Sequence, residues 1–230
     1  MSTEVVALAA SYLTPEGYGS HTLGRRSWPT GRRELMDIAW SSLFPVPCSR
    51  FGRMSPLTRL GLMAVELLDV GFAEMTEEHR TRLGICMFSP SGSIATDIEF
   101  LREPGPGVFT YTLPSSVIGE VCIRHRLRGP TLCLMSAGCE GRGMVEEAAE
   151  RMAMGEAESM LCLLCEARGP EAGTFLNYAL APDNNFCWYA SALYLARKDA
   201  ARGQGKAVAK GVSPSGADIH RMCLEMCEER

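Results

Sequence analysis

Apolar positions recur along the chain with two spacings, and each spacing selects an element. Short apolar runs at 4–10, 83–88, 131–135 and 160–165 have strand length and suit buried strands. The run at 186–196 is apolar and aromatic enough to join them. At 55–71 the period changes to that of a helix, with Leu60, Met63, Ala64, Leu67 and Leu68 on one face. Ser55 stands at its N-cap, Pro56 at the first helical position, and Gly71 closes it. Helices are also predicted at 115–126 and 219–228, at 91–101 with Ser93 or Gly92 near the start, and at 142–154 with Gly155 as C-cap. A short helix at 34–43 is expected to stop at Pro45 and Pro47. The segments 14–33, 103–107 and 169–185 read as loops. This alternation predicts α/β layers, a sheet sandwiched by helices.

Composition narrows the class. A chain of 230 residues with 46% hydrophobic and 22% charged residues fits one globular domain with a real core. The net charge of −4 offers no general attraction to nucleic acid or anionic membrane. No apolar run approaches a membrane span, and 1–13 lacks the basic start of a signal peptide, so the expected location is cytoplasmic. The ten cysteines are then expected as reduced thiols. Cys162 and Cys165 lie in an apolar strand, and Cys223 and Cys227 share a helix face. Both pairs read first as small hydrophobes, with zinc or a disulfide as the lesser reading. Gly138, Gly141 and Gly143 fit neither phosphate-loop pattern. No cofactor and no metal is expected.

The stretch "LPSSVIGEVCIRHRLRGPTLCLMSAGCEG…GEAE…LLCEA" reads as helix, strand, tight turn, helix and strand. It resembles the first half of a β-ketoacyl-acyl-carrier-protein synthase. The likeness rests on Ile123, Arg124, Arg128, Gly129 and Pro130 before a strand, then a small-residue turn, a helix, and "GEAE" leading to "LLCEA". The earlier "RMSPLTRLGLMAVELLDVGF" and the later Ala200-Ala201-Arg202-Gly203 and 207–212 are similar to further phrases of the family. The resemblance implies half of a thiolase-like fold over 1–230, with a mixed, mainly parallel central sheet and helices on both faces. In that fold two halves pack through their central helices, so a lone half needs a cover, from the C-terminal helix or from another chain.

The same resemblance places the family's nucleophilic cysteine at Gly138, with Cys139 one residue late. One step along a helix turns a side chain by roughly 100°, and a ~1 Å misplacement of a catalytic group costs on the order of 10²-fold. The family's two catalytic histidines come from a second half, which the sequence does not reach. None of His21, His79, His125 and His220 stands in a comparable phrase. The resemblance therefore implies a non-catalytic, chain-length-factor-like protein, similar to those paired with full-length synthases in aryl polyene and other polyketide pathways. Its partners would be such a synthase, as a heterodimer, and an acyl carrier protein.

Pro90, Ser91, Ile94, Ile98, Phe109, Tyr111 and Thr112 fall where relatives line the acyl tunnel, and plain core packing is the competing reading for each. Each buried CH₂ is worth about 0.8 kcal/mol, so denying room for a two-carbon unit costs roughly 1.6 kcal/mol, on the order of tenfold. Arg50, Arg53 and Arg59 flank the Ser55 helix where synthases meet the acidic carrier, with a solvated basic face as the commoner explanation. Two other classes stay open: an acyltransferase or thioesterase using Cys139, and a self-associating half-fold binding protein.

Overall fold

One mixed sheet runs through the computed structural model, which describes residues 5–29, 31, 33–135, 143–169, 187–197, 206–207 and 216–228. Its strands are β1 (Val5–Thr14), β2 (Gly17–Ser20), β3 (Gly24–Ser27), β4 (Leu83–Phe88), β5 (Thr131–Leu134), β6 (Ser159–Arg168), β7 (Cys187–Arg197) and β8 (Lys206–Ala207). They are ordered β3-β2-β1-β7-β6-β4-β5, with β8 also paired to β1. The helices are α1 (Pro56–Leu67), α2 (Glu77–Arg82), α3 (Ile94–Arg102), α4 (Pro106–Phe109), α5 (Ser116–His125), α6 (Met144–Ala153) and α7 (Gly216–Glu228).

The α/β class and the mixed sheet agree with the sequence, but "mainly parallel" holds only for strand direction. β1, β3, β4, β5 and β6 run one way and β2, β7 and β8 the other. Among the described residues the parallel ladders are β4–β5 and β4–β6, and β7 inserts antiparallel between β6 and β1.

Strand alternation sends the core to both faces. On one face Leu83, Ile85, Met87, Leu161, Leu163 and Cys165 pack with Leu60 and Leu67 of α1 and Val117 and Val121 of α5. On the other, Cys86, Phe88, Met160, Cys162 and Leu164 pack with Met144, Ala148 and Met152 of α6 and Ile219, Cys223 and Cys227 of α7. Both α6 and α7 keep charge outward, at Glu146, Glu150, Arg221 and Glu225. The C-terminal helix is thus part of the cover on that face. Cys162 and Cys165, three residues apart on a strand, point to opposite faces.

β1 serves both layers through a bulge. Val5 and Ala7 pack on the α6/α7 face, yet so do Ala10 and Tyr12. The parity changes because the register with β7 shifts between Ala7 and Ala9, leaving Leu8 as the extra residue.

Several boundaries differ from the sequence reading. The 14–33 loop contains the β2–β3 hairpin, held by ladder bonds and by Trp28, whose ring lies 4.6 Å from Tyr18 and whose indole N–H donates to the Thr14 carbonyl. The 34–43 helix is instead two 3-10 turns, Leu35–Asp37 and Trp40–Ser42. Leu35, Ile38 and Trp40 are all buried at spacings of three and two, which one α-helical face does not accommodate. α2 was not anticipated, and α4 lies partly in the 103–107 loop. Gly129 has a steric reason: its Cβ would overlap the Leu83 carbonyl where β4 meets β5.

Candidate functional site

At the end of β4 the chain leaves the sheet through a serine-rich turn, 89–93, and enters α3. Directly across, β6 carries Glu166 on the face of Met160, Cys162 and Leu164, the face that α6 covers. Glu166 is fully buried. Its carboxylate accepts the Ser91 backbone N–H at 3.0 Å and the Ser91 hydroxyl, and Nε of Arg168 lies 3.0 Å away. Burial pushes the Glu166 carboxyl above its ordinary value, while Ser91 and the Arg168 guanidinium pull it down.

The turn is locked from its other side as well. The Gly92 N–H donates to the Ser89 hydroxyl at 3.1 Å. Gly92 has φ +60°, and a Cβ there would press on the Met135 methyl and Pro114, so the position requires glycine. The Ser93 hydroxyl donates to the Thr112 carbonyl, tying the start of α3 to the segment after α4. Phe100 and Phe109 join the two helices, with ring centroids 5.6 Å apart.

Most of the predicted lining residues therefore meet in one unit. Pro90 and Ser91 form the turn, Ile94 and Ile98 lie on α3 (half-buried and buried), and Thr112 is half-buried beside Ser93. Phe109 is 62% exposed. Tyr111 goes elsewhere: it is buried in the α1/α5 core and its hydroxyl donates to Glu120 at 3.0 Å. Burial first, and the Glu120 carboxylate second, raise the Tyr111 hydroxyl above its ordinary value.

The predicted docking arginines are largely engaged within the chain. Arg50 donates to Glu120 at 2.7 Å. Arg59 donates to the Met54 and Gly52 carbonyls and lies over the Phe51 ring at 5.2 Å. Arg53 is exposed in the 3-10 turn Phe51–Arg53.

Gly138 and Cys139 lie outside the described residues. Three histidines have local roles. His125 stacks on Phe72 at 3.9 Å with Nε2 3.2 Å from Glu66, His79 meets the Tyr194 hydroxyl at 3.0 Å, and His220 meets that of Ser191 at 2.6 Å. A separate open cleft of about 590 Å³ lies where α1 and α5 end, lined in part by Glu66, Asp69, Phe72, Arg124 and Arg126. Among the described residues no group of His, Cys, Asp and Glu has the makings of a metal site, and no helix is long and apolar enough to cross a membrane.

Glu166, Arg168 and Ser89 are not among the site residues that the sequence predicts. A carboxylate closing the apolar run Leu161-Cys162-Leu163-Leu164-Cys165 was the available signal, because buried acids need partners.

The overall fold recurs in solved structures. The chain superposes on the ishigamide ketosynthase/chain length factor with a TM-score of 0.62 at 20% identity, covering 89% of this chain and 65% of that one. The fold is thiolase-like, of the β-ketoacyl synthase type. This ketosynthase-type fold also matches a chain of the ketosynthase (ApeO) in complex with its chain length factor (ApeC) from Xenorhabdus doucetiae. There the TM-score is 0.60 at 14% identity, covering 99% of this chain and 92% of that one. In sequence, 118 residues are 30% identical to 3-oxoacyl-[acyl-carrier-protein] synthase 2 of Vibrio harveyi, over 47% of this chain and 28% of the relative. The chain thus matches little more than a quarter of that relative's length. No protein-family model matches it.

Proposed function

We propose that this chain is a chain-length-factor-like subunit that pairs with an active ketosynthase and shapes its acyl tunnel in polyketide or fatty-acid-type, aryl polyene-like biosynthesis. One observation carries the reading: this chain and a chain of the Xenorhabdus ketosynthase–chain length factor complex cover each other almost end to end, at 99% and 92%. The α3–α4 unit supports it, since it gathers Pro90, Ser91, Ile94, Ile98, Phe109 and Thr112 around one anchored turn. The acyl carrier protein enters as a partner through the name of the sequence relative. The subunit performs no condensation itself, with Gly138 at the nucleophile position and Cys139 displaced from it. Its contribution is steric: a wall that excludes one two-carbon unit forfeits roughly 1.6 kcal/mol of burial.

The test is co-expression of the full chain with candidate ketosynthases, followed by co-purification and mass spectrometry of carrier-bound products. The expected result is a heterodimer whose product lengths differ from those of the ketosynthase alone, with no acyl adduct at Cys139. Condensation by the purified chain, or turnover through an acyl-Cys139, overturns the reading. A homodimer that ignores every ketosynthase offered identifies a self-associating binding protein instead.

A further inference from the structure

Glu166 is a buried acid with no part in the chemistry considered so far, and its bonds converge on one turn. It accepts the Ser91 amide and hydroxyl, and Arg168 on the same strand neutralises it. An acid held fully out of water needs such partners, and here they are Arg168 on its own strand and Ser91 in the turn that leads into α3. Further bonds of the turn run onward, Gly92 to Ser89 and Ser93 to Thr112, while the Ser89 amide donates to the Leu134 carbonyl of β5, so the carboxylate holds the middle of the turn from which α3 and the segment after α4 are hung.

We infer that Glu166 is a positioning residue: through Ser91 it sets where α3 lies, and with it the wall formed by Ile94, Ile98 and Thr112. The consequence for acyl length rests on the chain-length-factor reading above. The positioning itself does not. Arg168 serves as the counter-charge that makes the carboxylate tenable at this depth. Removing the carboxylate frees the Ser91 end of the turn and leaves the Arg168 guanidinium short of a partner.

The experiment uses the full chain, alone and bound to its ketosynthase, as wild type, Glu166→Ala, Glu166→Gln and Ser91→Ala. Amide hydrogen exchange is read in peptides covering 89–102 and, as a control, in α1 and α5. In Glu166→Ala, exchange at 89–102 is expected to quicken on the order of tenfold or more, with α1 and α5 unchanged. Glu166→Gln keeps an acceptor for the Ser91 amide and is expected to restore part of the protection. Ser91→Ala removes the hydroxyl donor alone and gives a smaller local effect, which keeps the test open should Glu166→Ala not fold. Uniform exchange changes across the chain, or none, overturn the inference. Product lengths from the complex are read in parallel. Local loosening of 89–102 without any shift in product length upholds the positioning role and counts against the tunnel reading. Local loosening with a shifted length supports both.

Discussion

Arg50 places a guanidinium nitrogen 2.7 Å from a carboxylate oxygen of Glu120, a side chain buried on α5. The same oxygen accepts the Tyr111 hydroxyl. A half-exposed arginine therefore completes a buried polar pair, which gives it a structural duty alongside any role in docking. Arg50→Ala is expected to cost about 1–2 kcal/mol, discounted for the solvent that reaches the arginine. Urea denaturation measures this. Unchanged stability together with weaker carrier-protein binding would assign Arg50 to docking alone.

The acid limb of the stability curve is expected to depend on Glu66. Burial alone would raise its carboxyl, but His125 and Arg124 outweigh that and hold it below its ordinary value of 4.5. A carboxyl lowered on folding contributes stability above its unfolded value and loses that contribution as the pH falls towards its folded one. Stability at neutral pH should thus include the full contribution, with the loss beginning near 4.5 and continuing downward. Glu66→Gln is expected to flatten this slope, as read by denaturant titrations across the acid range.

The buried thiols are expected to be inert in the folded chain. Burial pushes Cys86 up to about 12 and holds Cys162, Cys165 and Cys223 well above the ordinary thiol range. Little thiolate exists there to react. Brief native alkylation with iodoacetamide should label half-exposed Cys48 and spare these four, on the order of 10²-fold or more. Peptide mass spectrometry reads the sites, and denaturant should expose all of them.

Gly129→Ala drives a methyl group into the Leu83 carbonyl at the β4–β5 junction. Overpacking of this kind costs about 2 kcal/mol. For a chain of this size that is a melting temperature lowered by about 4–8 °C. Scanning calorimetry decides it, and a melting temperature within a degree of wild type would mean that β4 and β5 can part to admit the methyl.

The readable elements were those whose local chemistry and burial agree. α1 begins where Ser55 and Pro56 say it should, and the Ser55 hydroxyl accepts the Thr58 amide. β4 and β6 announce themselves as apolar runs buried on both faces. The β2–β3 hairpin was hidden because its order comes from backbone ladders and from Trp28, with Arg25 and Arg26 displayed on exposed positions. In the sequence the β6 run ends at Cys165, because Glu166 and Arg168 look like loop residues until they are seen paired to each other. That one misplaced boundary also hid the anchor of the 89–93 turn, since Ser91 and Glu166 are 75 positions apart. Among the candidate residues, the α3 group was legible as a group. The inward course of Tyr111 was not, because it depends on a carboxylate one helix away.

The bulge at Leu8 gives the first strand a spacer. Everything from Ala10 onward keeps its orientation through pairing with β7, whatever the chain does before the shift. Losing one residue at Leu8 would therefore leave Ser11, Tyr12 and Leu13 facing as they do now. The same deletion within 10–14 would exchange the two sides of the strand and turn a tyrosine and a leucine into each other's compartments. The start of β1 can absorb a change of length at one position, and only the stretch beyond it is held to an unaltered frame.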